Sequence, residues 1–160
     1  MPSRVSAIQM TGEEQAAFLR ECALGGATMT VASVDKDGLP HLVAMWFALR
    51  EGLVHFTSYR KAQKIVNLKR NPAITCLIEK GDRYTNVRGL VIQGRAEVIE
   101  DDPALSDELM WQISLSRDPG HPLRQVPEAE RRAVSAKRWV VRVHPNRVYS
   151  WDHRKLEGSF

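Results

Sequence analysis

The sequence predicts a mainly β fold, in which six or seven antiparallel strands form a barrel with helices inserted between them. Short β-rich runs follow one another across tight turns, which is typical of consecutive hairpins. Helical patterns occur between some of these runs, but strands and helices do not alternate regularly, so a parallel sheet is disfavoured. The 160 residues are enough for one domain with its own core. We therefore expect a single domain over residues 1–160.

The first half of the chain predicts a helix, three strands and a second helix. Thr11 and Glu14 have the spacing of a capping box and mark the beginning of the first helix, which ends at Gly25-Gly26. The predicted strands span residues 27–34, 41–49 and 53–58. The second helix ends at Asn71-Pro72, because proline cannot continue a helix. Its apolar stripe comprises Ala62, Ile65, Val66 and Leu68, while Lys61, Lys64 and Asn67 are expected on another side.

The second half predicts strands interrupted by two more helices. Within it, Gly89 and Gly94 fall inside a long strand, where glycine often marks a bulge or a close backbone approach. One helix begins at Asp102-Pro103 and another spans 128–136, with an irregular loop over 117–127 between them. The predicted strands are residues 73–79, 84–100, 139–144 and 147–151.

Composition and motifs exclude several classes of protein. The 43% hydrophobic and 26% charged residues are ordinary globular values. The longest apolar run, Leu42–Leu49, is shorter than the roughly 20 residues that span a bilayer, and Met1–Arg4 leads into no secretory signal. We therefore expect a cytoplasmic protein with no membrane partner. Two cysteines, Cys22 and Cys76, are too few for a disulfide framework or a four-cysteine zinc site.

No catalytic side chain or metal ligand can be assigned from the sequence. It contains no nucleophile motif, no phosphate-binding loop and no histidines at metal-ligand spacing. If the protein is an enzyme, a cofactor must therefore supply the reactive chemistry.

The positive charge is concentrated in one segment. The net charge of the chain is +4, but Arg60, Lys61, Lys64, Lys69 and Arg70 follow one another with no acid among them. Such a cluster attracts phosphates or carboxylates, although a solvated helix face would have the same pattern.

Five motifs occur in an order that identifies a family. They are Asp37-Gly38-Leu39-Pro40-His41 with Trp46-Phe47, Phe56-Thr57, Lys64 to Pro72, Gly94 to Val98, and Pro145 to Asp152. Together they resemble the split-barrel flavin-binding superfamily related to pyridoxamine 5′-phosphate oxidase. More narrowly, they resemble the flavin/deazaflavin oxidoreductases of actinobacteria. The resemblance covers about residues 27–152 and implies a split β-barrel that forms a homodimer, with the cofactor at the dimer interface.

The resemblance also implies a cofactor site. It makes Thr57 and Lys64 the phosphate ligands and places the backbone of residues 43–47 against the ring. Trp46 then packs on the ring or belongs to the core, and Arg88 contacts the cofactor or is an exposed strand arginine. Arg147 and Trp151 are the candidates for contacts contributed by the partner chain. The full candidate set is Val43, Ala44, Met45, Trp46, Phe56, Thr57, Ser58, Arg60, Lys61, Lys64, Asn67, Arg88, Arg147 and Trp151.

The same comparison favours a deazaflavin over FMN. Pyridoxamine phosphate oxidases carry a basic residue on the strand equivalent to Val43–Phe47 and an Arg-Lys pair where this chain has Gln63-Lys64. The Trp-Phe strand instead resembles the deazaflavin branch, which uses coenzyme F-420, and the basic segment suits the carboxylate tail of that coenzyme. The implied activity is hydride transfer to a small unsaturated or conjugated substrate.

Three alternatives remain for the function. The protein could be an FMN-dependent reductase or oxidase of the same fold, or a non-catalytic carrier of a flavin, deazaflavin or haem. A nucleic-acid-binding barrel is disfavoured, because the aromatic residues do not interleave with the basic cluster as stacking platforms would.

Overall fold

Seven antiparallel strands form one curled sheet in the computed structural model, which describes residues 7–120 and 125–156. The strands are β1 (Thr28–Val34), β2 (Pro40–Trp46), β3 (Ala48–Arg50), β4 (Leu53–Tyr59), β5 (Ala73–Lys80), β6 (Arg88–Ile99) and β7 (Arg138–Asp152). The helices are α1 (Gly12–Leu24), α2 (Gln63–Arg70), α3 (Pro103–Arg117) and α4 (Glu128–Ser135), and a 3-10 turn spans His153–Lys155. The predicted mainly β antiparallel fold is confirmed. Met1–Arg4 and residues 121–124 of the predicted loop lie outside the described residues.

The order of the strands explains how the barrel is built. The order across the sheet is β2-β1-β5-β6-β7-β4-β3, so β2 and β3 form its two edges. In the chain these two strands are separated by Phe47 alone. A single extended segment therefore supplies both edges, and the sheet curls to bring them together. The prediction of one strand over 41–49 was wrong, because the first part pairs with β1 and the second with β4.

The core lies on one face of the curled sheet and is covered at one end by α1. The helix begins as predicted: the Thr11 hydroxyl accepts from the Glu14 amide at 3.2 Å, and the Glu14 carboxylate accepts from the Thr11 amide at 2.7 Å. Its buried face carries Phe18 and Cys22 into the same cluster as the strands. The strand residues of that cluster include Met29, Val31, Phe56, Cys76, Ile78, Leu90, Val141 and Val143.

The opposite face of the sheet is covered by α3. Leu109 and Ile113 form a second apolar cluster with Ala48 of β3 and Val140 of β7. Asp102 caps the beginning of this helix, because its carboxylate accepts from the Leu105 amide at 2.9 Å. This packing places the second half of α3 beside β2 and β4.

The two longest strands differ from their predicted bounds. Strand β6 begins at Arg88, not at residue 84, because residues 82–86 form turns. The two predicted segments at the end of the chain form one strand, β7, that follows β6 through a register shift between Gln93 and Gly94. The bulge expected at Gly94 is therefore confirmed. Gly89 lies under the indole of Trp151, where a Cβ atom would overlap the ring, so its close approach is also confirmed.

The basic helix is confirmed, but two of its residues face differently from the prediction. Val66 was expected in the apolar stripe, yet it is 48% exposed. Asn67 was expected away from that stripe and is fully buried, because its amide has partners inside: it donates to the Ser33 hydroxyl at 3.1 Å and accepts from the Gln63 amide at 2.9 Å. A buried amide of this kind is stable because its hydrogen bonds are made.

Candidate functional site

A cavity of about 400 Å³ lies between the edge strand β2, strands β4 and β7, and helix α3. Four of the candidate cofactor-binding residues line it, namely Ala44, Met45, Trp46 and Thr57. The other lining residues are Met110, Ile113, Ser114, Arg117 and Arg138. The cavity is therefore apolar along one wall and has arginines in its lining.

Strand β2 presents its outer face to this cavity. Exposure alternates along the strand, so Ala44 and Trp46 point outward while Val43 and Met45 pack against the core. Trp46 is 40% exposed, which rules out the interpretation of this residue as a plain core tryptophan. Because β2 is an edge strand, its backbone pairs with β1 alone among the described strands. Its other side can offer amides and carbonyls to a flat polar ring.

Thr57 and Arg138 line the cavity, whereas Lys64 is not among its lining residues but is close enough to Arg138 for their charges to interact. We call these three residues the cationic corner. Thr57 faces the cavity from β4, and Lys64 is half-buried in the first turn of α2. Burial, followed by the nearby charge of Arg138, lowers the pKa of Lys64 below its ordinary value of 10.5. The Nε of Arg138 is buried without a hydrogen-bond partner.

The two cations of the corner, Lys64 and Arg138, have no acidic partner, so their charges are suited to an anion. Neither Lys64 nor Arg138 has a carboxylate within 4.0 Å in residues 7–120 and 125–156, and the guanidinium of Arg138 lies instead 4.0 Å from the ring centroid of Tyr59. Two neighbouring cations repel each other, and an anion bound between them would remove that repulsion. A phosphate that accepts from Thr57, Lys64 and Arg138 would also supply the missing partner for the buried Nε.

Arg117 covers part of the cavity wall. Its guanidinium lies 3.6 Å from the ring centroid of Trp46, at the end of α3. This is a cation–π contact, and such contacts are worth about 0.5–2 kcal/mol depending on solvent exposure. No motif in the sequence points to Arg117 or Arg138. Arg138 reaches the cavity because it pairs with Tyr59 across β7 and β4, and Arg117 reaches it because α3 packs on β3 and β7. Only a prediction of these long-range contacts could have identified the two arginines.

Several candidate residues do not face the cavity. Phe56 and Ser58 flank Thr57 on β4 and point to the opposite, buried side of the sheet. Asn67 is fully buried, and both its amide nitrogen and its amide oxygen make internal hydrogen bonds. Val43 packs on the core, so any contact it makes with a ring must come from its backbone.

Arg60 and Lys61 lie in a separate, shallow depression next to the cationic corner. This depression has a volume of about 270 Å³ and is also lined by Tyr59 and Lys137. The amide of Arg60 donates to the carbonyl of Lys137 at 3.2 Å, which holds the turn before α2 against the beginning of β7. The two side chains therefore flank the corner, but do not line the cavity.

The remaining three candidates lie away from the cavity within this chain. Arg88 makes a bidentate ion pair with Glu21 at 2.9 and 3.0 Å and lies 5.1 Å from the ring centroid of Phe18. Arg147 is exposed on β7, with its guanidinium 5.4 Å from the Tyr149 ring, and Trp151 covers Gly89. A role for Arg147 and Trp151 in a partner's site stays a prediction.

None of the helices within the described residues is both long enough and apolar enough to cross a membrane. In the same residues, no group of three or more histidine, cysteine, aspartate or glutamate side chains is placed to hold a metal ion.

Comparison with solved structures finds close relatives of this fold. The conserved hypothetical protein Rv2991 from Mycobacterium tuberculosis is 32% identical with a TM-score of 0.81, and the match covers 97% of this chain and 92% of that one. An F-420 reductase is 30% identical with a TM-score of 0.62, covering 80% of this chain and 94% of that one. HutZ, the haem storage protein of Vibrio cholerae, is 16% identical with a TM-score of 0.59 and covers 82% and 91%; it shows the fold alone.

A comparison with curated proteins found no match. Residues 11–152, which include all seven strands, match the family model of pyridoxamine 5′-phosphate oxidase. With the order of the strands and the relatives above, this match shows that the chain belongs to the pyridoxamine 5′-phosphate oxidase-like family of flavin- and deazaflavin-binding split barrels.

Proposed function

We propose that the protein is an oxidoreductase that uses coenzyme F-420 to transfer hydride to a small unsaturated or conjugated substrate. The observation that carries the proposal is the cavity beside β2. Arg117 and Arg138 line it, Lys64 lies near Arg138, and none of these three cations has an acidic partner among the described residues. About half of the other lysines and arginines in the described residues, such as Arg50, Lys80 and Arg88, are paired with carboxylates. Unpaired cations around an apolar cavity are suited to a ligand with a flat ring and anionic groups.

The residues present fit this cofactor. Trp46 and the outward backbone of β2 offer an apolar face and polar groups for the ring. Thr57, Lys64 and Arg138 would hold the phosphate, and Arg60, Lys61 and Lys137 lie next to them for the carboxylates of the tail. When bound, the deazaflavin supplies the hydride chemistry. The chain would bind and orient the ring and exclude water.

The lining of the cavity supports chemistry carried by a cofactor. No histidine, aspartate or glutamate is among its described lining residues, so side-chain acid–base catalysis is not provided there. The F-420 reductase that is 30% identical to this chain supports the choice of a deazaflavin over FMN.

The first test is removal of the Lys64 charge. The variant Lys64→Ala should bind F-420 more weakly by about 1.5–3 kcal/mol, the usual range for a charge-assisted hydrogen bond. Arg138→Ala should weaken binding in the same direction. Lys36→Ala is the matched control, because it removes an exposed lysine that is already paired with Asp37. Equal affinities of Lys64→Ala and Lys36→Ala for F-420, measured by fluorescence titration, would remove Lys64 from the site.

The second test distinguishes the cofactors. The purified protein should bind F-420 more tightly than FMN, and its oxidation of reduced F-420 should depend on an added unsaturated acceptor. A preference for FMN would favour the FMN-dependent alternative. Tight binding of F-420 without turnover with any acceptor would favour a carrier.

We also propose that the protein forms a homodimer and that Arg147 and Trp151 contact the cofactor of the partner. An exposed stretch of β7, residues 144–149, supports this proposal because it includes the partly exposed apolar side chains of Val148 and Tyr149. Sedimentation should give a dimeric mass. Arg147→Ala should then weaken F-420 binding without changing that mass.

A further inference from the structure

We propose that the protein has a second ligand site under α1, at the mouth of the barrel, for a small apolar molecule that carries one carboxylate. The site does not depend on the proposed cofactor or activity, but two of its lining residues, Pro145 and Val148, belong to the stretch of β7 that we propose for the dimer surface. It rests on a cavity in the core face of the sheet and on an unpaired arginine at its rim.

The cavity under α1 has a volume of about 350 Å³, within the approximate range of 300–1,000 Å³ for small-molecule sites. Helix α1 contributes Ala16 and Leu19 to one wall. The opposite wall comes from the strands, and its apolar lining includes Leu49, Leu53, Val54, Leu90, Ile92, Val143, Pro145 and Val148. Four of these, Val54, Leu90, Ile92 and Val143, belong to the main core cluster. Buried core residues of the barrel therefore form the floor of the cavity under α1.

Arg20 is the one charged residue that lines this cavity within the described chain. It is exposed and has no carboxylate within 4.0 Å in residues 7–120 and 125–156, whereas its neighbour Glu21 is paired with both Lys80 and Arg88. The other polar side chain of the lining, Gln15, already donates to the Met10 carbonyl at 3.2 Å and to the Ser150 hydroxyl at 3.1 Å. The charged side chain without a partner in this lining is therefore Arg20, and its guanidinium is a group that binds carboxylates well.

The cavity under α1 is separate from the cofactor cavity. The two share no lining residue, and they lie on opposite faces of β4: Val54 belongs to the core face, whereas Thr57 points outward. A ligand under α1 would leave the cationic corner at Lys64 accessible.

A neighbouring groove provides an internal control. It has a volume of about 510 Å³ and shares Arg20 and Leu49 with the cavity under α1, but its remaining lining comes from elsewhere, including Leu24, Phe47 and Gln112. A substitution at Gln112 therefore fills the groove without touching the cavity under α1.

The experiment is a calorimetric titration of the full chain with decanoate, with decan-1-ol and decylammonium as matched probes. Decanoate should bind saturably. Arg20→Gln should weaken it by about 10-fold or more, as expected for the loss of a charge-assisted hydrogen bond. Arg20→Lys should retain most of the affinity. Decan-1-ol should bind the native protein and Arg20→Gln equally, and decylammonium should bind more weakly than decanoate.

Two further variants locate the ligand. Ala16→Phe fills the cavity under α1 from a half-exposed helix position and should abolish decanoate binding, whereas Gln112→Trp should leave it unchanged. Lys64→Ala and added F-420 should also leave it unchanged, so failure of this proposal is distinguishable from failure of the proposed function. Absence of saturable binding would overturn the second site, as would equal binding to Arg20→Gln or loss of binding in Gln112→Trp. Intact decanoate binding in Ala16→Phe would also overturn the second site, and a simultaneous change in oligomeric mass would show that a second copy of the chain covers this surface.

Discussion

Arg88 and Arg138 each begin a strand, β6 and β7, yet their electrostatic surroundings are opposite. Arg88 is held by Glu21 of α1 in a bidentate ion pair. Arg138 has Lys64 as its neighbour and a buried Nε without a partner. Only Arg138 is therefore available to a bound anion. The difference comes from which helix packs beside the start of each strand.

The ion pairs of Glu21 should be visible in the pH dependence of stability. Hydrogen bonds from Arg88 and then Lys80 lower the pKa of Glu21 from 4.5 to about 2. Because its pKa is lower in the folded chain, the ionised carboxylate stabilises the fold above about pH 4.5, and this contribution is lost as the pH falls toward about 2. The free energy of unfolding of the native protein should therefore decrease more steeply across that interval than that of Glu21→Gln.

Urea denaturation at a series of pH values measures this difference. Glu79→Gln is the control, because it removes an exposed carboxylate with no ion pair in the described residues. Because the ion pairs of Glu21 are partly exposed to solvent, the change in the free energy of unfolding should be modest. Parallel pH profiles for the native protein and Glu21→Gln would show that these ion pairs contribute nothing.

The sequence predicts the residues of the proposed cofactor site that belong to local motifs, and it misses those that are brought to the cavity by contacts between distant parts of the chain. The resemblance names Thr57 and Lys64, which are close in the chain. Arg138 approaches them because β7 pairs with β4, and Arg117 reaches Trp46 because α3 packs across the sheet. No local sequence pattern indicates the position of Arg138 or Arg117 in the site.

At the scale of single elements, local signals locate helix ends and tight turns well. The capping box at Thr11, the proline after α2 and the glycines of β6 all mark features that the structure contains. The break at Phe47 has no such signal. Residues on both sides of it are apolar and β-forming, and the strand divides only because its two halves pair with different neighbours.

The packing of Trp151 of β7 on Gly89 of β6 predicts the effect of a methyl group added at position 89. In Gly89→Ala, the Cβ atom would overlap the indole of Trp151, so that ring must move. We expect a loss of about 1–3 kcal/mol in the free energy of unfolding, as for other overpacked sites. Urea denaturation measures the loss, and near-ultraviolet circular dichroism reports the displaced tryptophan.

Gly12→Ala is the control for this prediction. A Cβ atom at Gly12 meets no atom within 4 Å, and the residue begins α1. This variant should be neutral or slightly more stable, because alanine reduces the freedom of the unfolded chain. If Gly89→Ala is as stable as Gly12→Ala, the packing of Trp151 on Gly89 does not constrain the fold.

At the scale of the whole molecule, each face of the curled sheet has its own cavity. Its core face is filled by strand side chains and covered at one end by α1, which leaves the cavity next to Arg20. Its outer face is partly covered by α3, which leaves the cavity beside Trp46. Consecutive hairpins predict the antiparallel sheet, but the cavities result from where two helices cross it.

Phe47 links the two edge strands, β2 and β3, and should therefore affect the stability of both. Phe47 is almost fully buried in the core cluster and lies between β2 and β3. Phe47→Ala should lower the free energy of unfolding by about 3–5 kcal/mol, the usual cost of deleting a buried aromatic ring.

Hydrogen exchange then tests whether the two edges depend on this residue together. The amides of β2 and β3 should exchange faster in Phe47→Ala, and β5, near the middle of the sheet, should be affected least. Leu42→Ala is the control on the same segment, because its side chain is 60% exposed and such surface changes usually stay within about 0.5 kcal/mol. Faster exchange in β2 alone would mean that β3 is held by β4 and α3 independently of Phe47, and the two edges would then not be joined energetically.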